Sequence, residues 1–180
     1  MTRPGGLLAR LHQLDLELFE RTAKWHNPLL DRVLPPLSSA ADHSKLWVVA
    51  AGVLAAAGGR EGRRAAARGL GAIAITSPVA NLAGKLLVRR VWPSIDVVPV
   101  ARRAWRVPTS ASFPSGHSAS AAAFTTGVAL ELPDAAVPIG VMAAGVAYSR
   151  VYTGVHYPGD VVAGIALGTA IALLTRRVKR

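Results

Sequence analysis

Apolar residues in this chain gather into long blocks separated by basic and Gly/Pro-rich stretches. The blocks run over about 46–59, 65–88, 118–132, 135–148 and 161–174, which predicts about five helices. Several fall short of the ~20 apolar residues that a spanning helix needs, so their ends must extend into flanking polar positions or sit where the bilayer is thin. Frequent Gly and Ala let helix backbones approach closely inside a membrane. The expected fold is therefore all-α, a polytopic membrane bundle. Ahead of it, Leu7, Leu8, Leu11, Leu14 and Leu18 recur at helical spacing. Arg10, His12, Asp15 and Glu17 interrupt the stretch and rule out a secretory signal. That pattern describes an amphipathic helix lying on the membrane surface. With no internal repeat or linker, residues 1–180 form one domain, an interfacial segment over 1–44 and a helix bundle over 45–180.

Composition sharpens the picture. The chain is 51% hydrophobic and has no cysteine, which excludes disulfides, thiolate metal sites and a cysteine nucleophile. The net charge of +11 coexists with apolar blocks and few aromatics, and the arginines cluster where blocks end. Anionic headgroups and phosphate suit that pattern; nucleic acid does not. Arg60, Arg63, Arg64 and Arg68 lie between the first two blocks, and Arg176, Arg177, Lys179 and Arg180 follow the last. With five spans these segments share one side, which is cytoplasmic by the positive-inside rule. The connection over 89–114 and the turn over 150–156 then face outward. That side also carries Arg89, Arg90, Arg102, Arg103 and Arg106, for which a phosphate site would give a use.

Chemistry-bearing residues converge there. His156 and Asp160 are one helical turn apart, so the carboxylate can reach the imidazole, fix its tautomer and stabilise its cation. Read alone, Asp160 could equally serve only the helix dipole. Ser115 stands as an N-cap, and the amides of Gly116 and His117 at that helix start can donate to phosphate oxygens. Lys85 and Arg89 are four positions apart and share a helix face, as do Lys85 and Trp92 at seven. His12, His26 and His43 lie outside these clusters and take surface or interface roles.

The chain resembles the type 2 phosphatidic-acid phosphatase superfamily, which includes undecaprenyl-diphosphate phosphatases. Pro114-Ser115-Gly116-His117 matches the second family motif, and Ser149-Arg150, five residues, His156, three residues, Asp160 matches the third. The resemblance covers roughly 81–174. The first motif departs, because after Lys85 and six intervening residues stand Trp92-Pro93 where the family has Arg-Pro. Carried over by position, the resemblance implies His156 as nucleophile, Asp160 as its partner and His117 as the acid that protonates the leaving oxygen. It makes Lys85, Arg150, Ser149, Ser115 and the Gly116 amide phosphate ligands. Arg89 is the candidate replacement for the missing arginine, with Arg90 second.

The implied activity is metal-independent hydrolysis, without a cofactor, of a lipid phosphomonoester or diphosphate through a phosphohistidine. An outward-facing site in the cell membrane favours a recycled carrier lipid such as undecaprenyl diphosphate. Phosphatidylglycerol phosphate, phosphatidic acid and a polyprenyl-phosphoryl sugar phosphate remain open, as does the oligomeric state. A phosphotransferase with the same site is the rival enzyme. A non-catalytic membrane protein is the rival from another class, opposed by intact His117, His156 and Asp160.

Overall fold

The computed structural model describes residues 6–84, 90–103 and 111–177. Among them are seven α-helices and no strand: α1 (Leu7–Lys24), α2 (Pro28–Ala40), α3 (Lys45–Ala57), α4 (Gly59–Val79), α5 (Gly116–Ala129), α6 (Pro133–Tyr152) and α7 (Pro158–Leu174). The all-α expectation holds. Of these, α6 alone is both long and apolar enough to cross a membrane on those two criteria, with a mean hydropathy of 1.2 over its best window; α7 is apolar but shorter.

Helix α5 is central, packed on α4, α6 and α7, with α3 against α4 and α2 along α6. Its closest neighbour is α7, and glycine makes that approach possible. A Cβ on Gly164 would stand 2.4 Å from the Ser115 carbonyl oxygen, and one on Gly168 would stand 2.1 Å from that of Ala119. These two positions are one turn apart and form a flat seam on α7. The seam brings the start of α5 beside the start of α7, where the Ser115 amide donates to the Asp160 carbonyl oxygen at 2.9 Å. Trp47, Phe124, Val128 and Val146 fill the core at the other end of the bundle, and the Arg68–Glu131 ion pair ties α4 to the α5–α6 turn at 2.7 Å.

Two regions differ from expectation. The arginines Arg60, Arg63, Arg64 and Arg68 lie on α4 and not in a connection, because the positive φ of Gly59 turns the chain within two residues and arginine is a good helix former. The apolar block expected to run to 88 keeps α geometry only to Val79. Pro78 lacks an amide donor there, and the chain continues as a π-helical turn over Ala80–Gly84.

The N-terminal segment is two helices, not one. In α1 the leucines Leu7, Leu11, Leu14 and Leu18 are exposed, while Asp15, Phe19 and Ala23 form the face buried against the bundle. Asn27 caps α2 by accepting from the amides of Leu29 and Leu30. After α2 the chain makes a 3-10 turn over Asp42–Ser44, in which His43 and Ser44 both take left-handed conformations, with φ of 54° and 60°.

Candidate active site

The site forms where the start of α5, the end of α6 and the turn into α7 meet. His156 sits in that turn and Asp160 in the first turn of α7, so their separation is set by local helix geometry. His156 Nδ1 lies 3.5 Å from Asp160 Oδ2, with side chains 5% and 0% exposed. The same Oδ2 accepts from the Tyr157 amide at 3.1 Å, so Asp160 caps its helix and faces the imidazole at once. Burial, helped by the nearby Arg150 cation, pushes the His156 imidazole below its ordinary value of 6.5, against the pull of Asp160 and the Ser112 carbonyl. His156 is therefore neutral at neutral pH, as a nitrogen nucleophile must be.

A fully buried carboxylate needs partners. Asp160 finds its second in Arg90, whose Nη1 donates to Oδ1 at 2.7 Å. The other Arg90 nitrogen, Nη2, pairs with Asp15 of α1. The guanidinium lies 4.1 Å from the centre of the Tyr157 ring. Burial works against this cation, and the two carboxylates outweigh it, so Arg90 holds its proton more tightly than usual. Asp15 also accepts from the Gly159 amide at 2.6 Å.

On the opposite wall, His117 lies in the first turn of α5. Its Nε2 is 2.8 Å from Asp42 Oδ1 in the 3-10 turn after α2, with side chains 23% and 47% exposed. Arg150, buried near the end of α6, donates from Nη1 to Ser38 of α2 at 2.5 Å. Its Nε has no hydrogen-bond partner, and the same holds for His156 Nδ1. Arg150 stands within Coulombic reach of both imidazoles. Ser115 is the N-cap of α5, its oxygen accepting from the Ser118 amide and hydroxyl, and the Gly116 amide opens the helix beside it. Ser149 is buried, and its hydroxyl donates to the Val146 carbonyl at 2.6 Å. Among the described residues no cluster of three or more His, Asp and Glu side chains could hold a metal ion.

Two imidazoles lie within Coulombic reach of a buried guanidinium with an unused donor, beside the amides of a helix start. Such a site can hold a tetrahedral anion, attack it from one side and protonate what leaves on the other. The family description of the PAP2 superfamily matches residues 65–180. The chain belongs to the PAP2 superfamily. The decaprenylphosphoryl-5-phosphoribose phosphatase of Mycobacterium tuberculosis is 36% identical over 144 residues, 79% of this chain and 76% of that one. The undecaprenyl-diphosphatase of Sulfolobus acidocaldarius is 40% identical over 73 residues, 40% of this chain and 35% of that one. Among solved structures, that of LpxE from Aquifex aeolicus superposes with a TM-score of 0.73 at 23% identity, covering 91% of this chain and 95% of that one. As a PAP2 protein the chain is a phosphatase, a hydrolase of phosphoric ester bonds.

Within the PAP2 framework, Lys85 and Arg89 lie outside the described residues. Arg90, the second candidate for the missing arginine, is engaged with Asp160 and Asp15. Trp92, at the PAP2 arginine position, has its ring 4.9 Å from that of His156, centre to centre. An aromatic ring against His156 thus stands where the family places a cation. Ser38, Asp42 and Asp15 were not singled out for the site from sequence. All three precede the matched PAP2 region, and no local motif marks them.

Proposed function

We propose that this PAP2 phosphatase removes phosphate from a polyprenyl lipid, either a polyprenyl-phosphoryl sugar phosphate or a polyprenyl diphosphate, through a phosphohistidine on His156. The first substrate is supported by the relative aligned over three-quarters of both chains, the second by the shorter match. The observation that carries the reading is the buried Arg150, with its unpartnered Nε, within Coulombic reach of both His156 and His117.

With Nδ1 turned to Asp160, Nε2 of neutral His156 is left to attack phosphorus in line with the leaving oxygen. Arg150, the Gly116 amide, Ser115, by motif position Lys85 and, by its expected shared helix face with Lys85, Arg89 hold the phosphoryl oxygens. They stabilise the charge that builds on them, the largest share of such a rate enhancement. The bond from phosphorus to the leaving oxygen breaks, and that oxygen takes a proton from Nδ1 of His117. To supply it, His117 must carry two protons; burial and the Arg150 cation push its imidazole down to about 4 against the pull of Asp42 at Nε2, so the second proton is taken up together with the anionic substrate, whose charge offsets that of Arg150. Neutral His117 then takes a proton from water, which attacks the phosphohistidine, frees His156 and releases inorganic phosphate.

The outward faces support a membrane setting. Val48, Val49 and Val53 of α3, Val137 and Val141 of α6, and Val162, Ile165 and Leu174 of α7 are all exposed, an apolar belt that water would not tolerate and lipid would. That apolar surface and the arginines at the start of α4 support the proposed multi-pass arrangement of about five spans, with α1 in the interface on its leucine stripe and the site facing outward.

The test is phosphate release by purified protein from decaprenylphosphoryl-5-phosphoribose, undecaprenyl diphosphate, phosphatidylglycerol phosphate and phosphatidic acid, with and without an acceptor alcohol and with chelator. The expected result is inorganic phosphate from a polyprenyl substrate, unaffected by chelator or alcohol. Release that survives His156→Ala would overturn the mechanism, and exclusive transfer to the alcohol would make the protein a phosphotransferase.

A further inference from the structure

Helix α1 is not merely an external anchor. One face presents leucines outward, and the other places a carboxylate in the wall of the catalytic pair. Asp15 makes two contacts there, with the Arg90 guanidinium and with the Gly159 amide at 2.6 Å. Phe19, one turn on, meets the Tyr157 ring at 5.5 Å. Arg90 in turn donates to Oδ1 of Asp160, whose Oδ2 faces His156. A continuous chain of contacts therefore runs from α1 through Arg90 and Asp160 to the imidazole, with the linking side chains 10%, 18% and 0% exposed.

The geometry points to Asp15 as a positioning residue that, through Arg90, fixes the Asp160 carboxylate against His156. Two alternatives for this network fail on the structure. Arg90 is not a phosphate ligand, because two carboxylates and an aromatic face already surround its guanidinium. Nor is Asp15 a simple cap on α7, because that would need only the Gly159 contact, whereas its other oxygen is spent on Arg90. An unheld Arg90 would leave Asp160 buried with one charged partner fewer and free to turn. The carboxylate's aim, not phosphate binding, is what Asp15 controls. This inference rests on the reading of His156 and Asp160 as the attacking pair.

The experiment is a double-mutant cycle between Asp15→Asn and Asp160→Asn, with Arg90→Ala alongside. Turnover of farnesyl diphosphate in detergent micelles is measured, with thermal unfolding as the control for folding. Asp15→Asn and Arg90→Ala should each lower kcat roughly tenfold to a hundredfold, the range met when the outer partner of a ligating histidine is removed. KM should be unchanged within about twofold, because only transition-state stabilisation is lost. In the Asp160→Asn background, Asp15→Asn should cost nothing further. Gly159→Ala is the second route. A Cβ there would stand 2.9 Å from Asp15 Oδ2 and displace the carboxylate with every charge retained, so the same selective loss of kcat is expected even if Asp15→Asn does not fold. A loss in KM instead of kcat, a full loss persisting in the Asp160→Asn background, or wild-type turnover in Asp15→Asn overturns the inference. Wild-type turnover in Asp160→Asn alone would instead overturn the reading of the attacking pair, and that single variant separates the two failures.

Discussion

Each histidine of the site has its own carboxylate, and the two pairs are built in opposite ways. His156 and Asp160 are four residues apart on one turn, sealed from solvent, and backed by Arg90 and Asp15. His117 and Asp42 are 75 residues apart on separate elements, and Asp42 is nearly half exposed. A buried pair interacts through a low effective dielectric and is little screened, while water weakens an exposed one severalfold. The chemistry matches this division. The nucleophile must be held neutral and aimed, which favours a dry, rigid setting. The proposed acid must gain and lose a proton every turnover; burial and the Arg150 cation push His117 down to about 4, and it is its partner Asp42 that stays in contact with water.

His156→Ala should break the comparison outright, with turnover falling by more than about a thousandfold while the melting temperature holds, because the proposed mechanism has this residue form the bond to phosphorus. Residual activity above about a tenth of normal would remove it as nucleophile. His117→Ala should cost roughly a hundredfold to ten-thousandfold with an alkyl leaving group and far less with a nitrophenyl one, since an acid matters in proportion to the basicity of what leaves. Equal losses for both substrates would count against the acid role. Between the carboxylates, Asp160→Asn should lower kcat by about a hundredfold or more and Asp42→Asn by only about tenfold, the second effect shrinking further in high salt. Losses of equal size would mean that burial does not separate the pairs.

The acid limb of kcat/KM should lie below the ordinary imidazole value of 6.5, because burial with the Arg150 charge favours neutral His156. The sign for stability is the same. The unfolded chain binds this proton more readily than the folded one, so the contribution is intact above 6.5 and is lost as pH falls toward the depressed folded value. A pH–rate profile and melting curves between pH 7 and 5 test both. An acid limb at or above 6.5 would show that His156 is not held neutral by its setting.

The same division governs what the sequence discloses. The His156–Asp160 pair and the Ser115 cap could be read because their spacing is local, and the resemblance of the two intact motifs added His117 and Arg150 to them. The helix blocks could be read because apolar runs are continuous. Asp15, Ser38 and Asp42 reach partners 75 to 144 residues away, and such distances leave no periodic trace. Asp15 was visible only as a charge interrupting an amphipathic stretch. Trp92 shows a subtler limit. Sequence marks it as an arginine missing, whereas in the fold it is a ring gained against the nucleophile. The multi-helix N-terminal segment escaped notice because Pro35 and Pro36 sit inside α2, where proline argues against a helix.

The corner that aims Asp42 carries a cost of its own. His43 and Ser44 follow it in succession in the left-handed region, where a side chain costs roughly 1 to 2 kcal/mol per residue and glycine costs nothing. A variant with glycine at both positions should melt at a higher temperature than the natural chain. It should also be a poorer catalyst for slow-leaving substrates, since a supple corner no longer commits the carboxylate to one direction. The two left-handed residues at 43 and 44 give up thermal stability at the corner that holds Asp42 against His117.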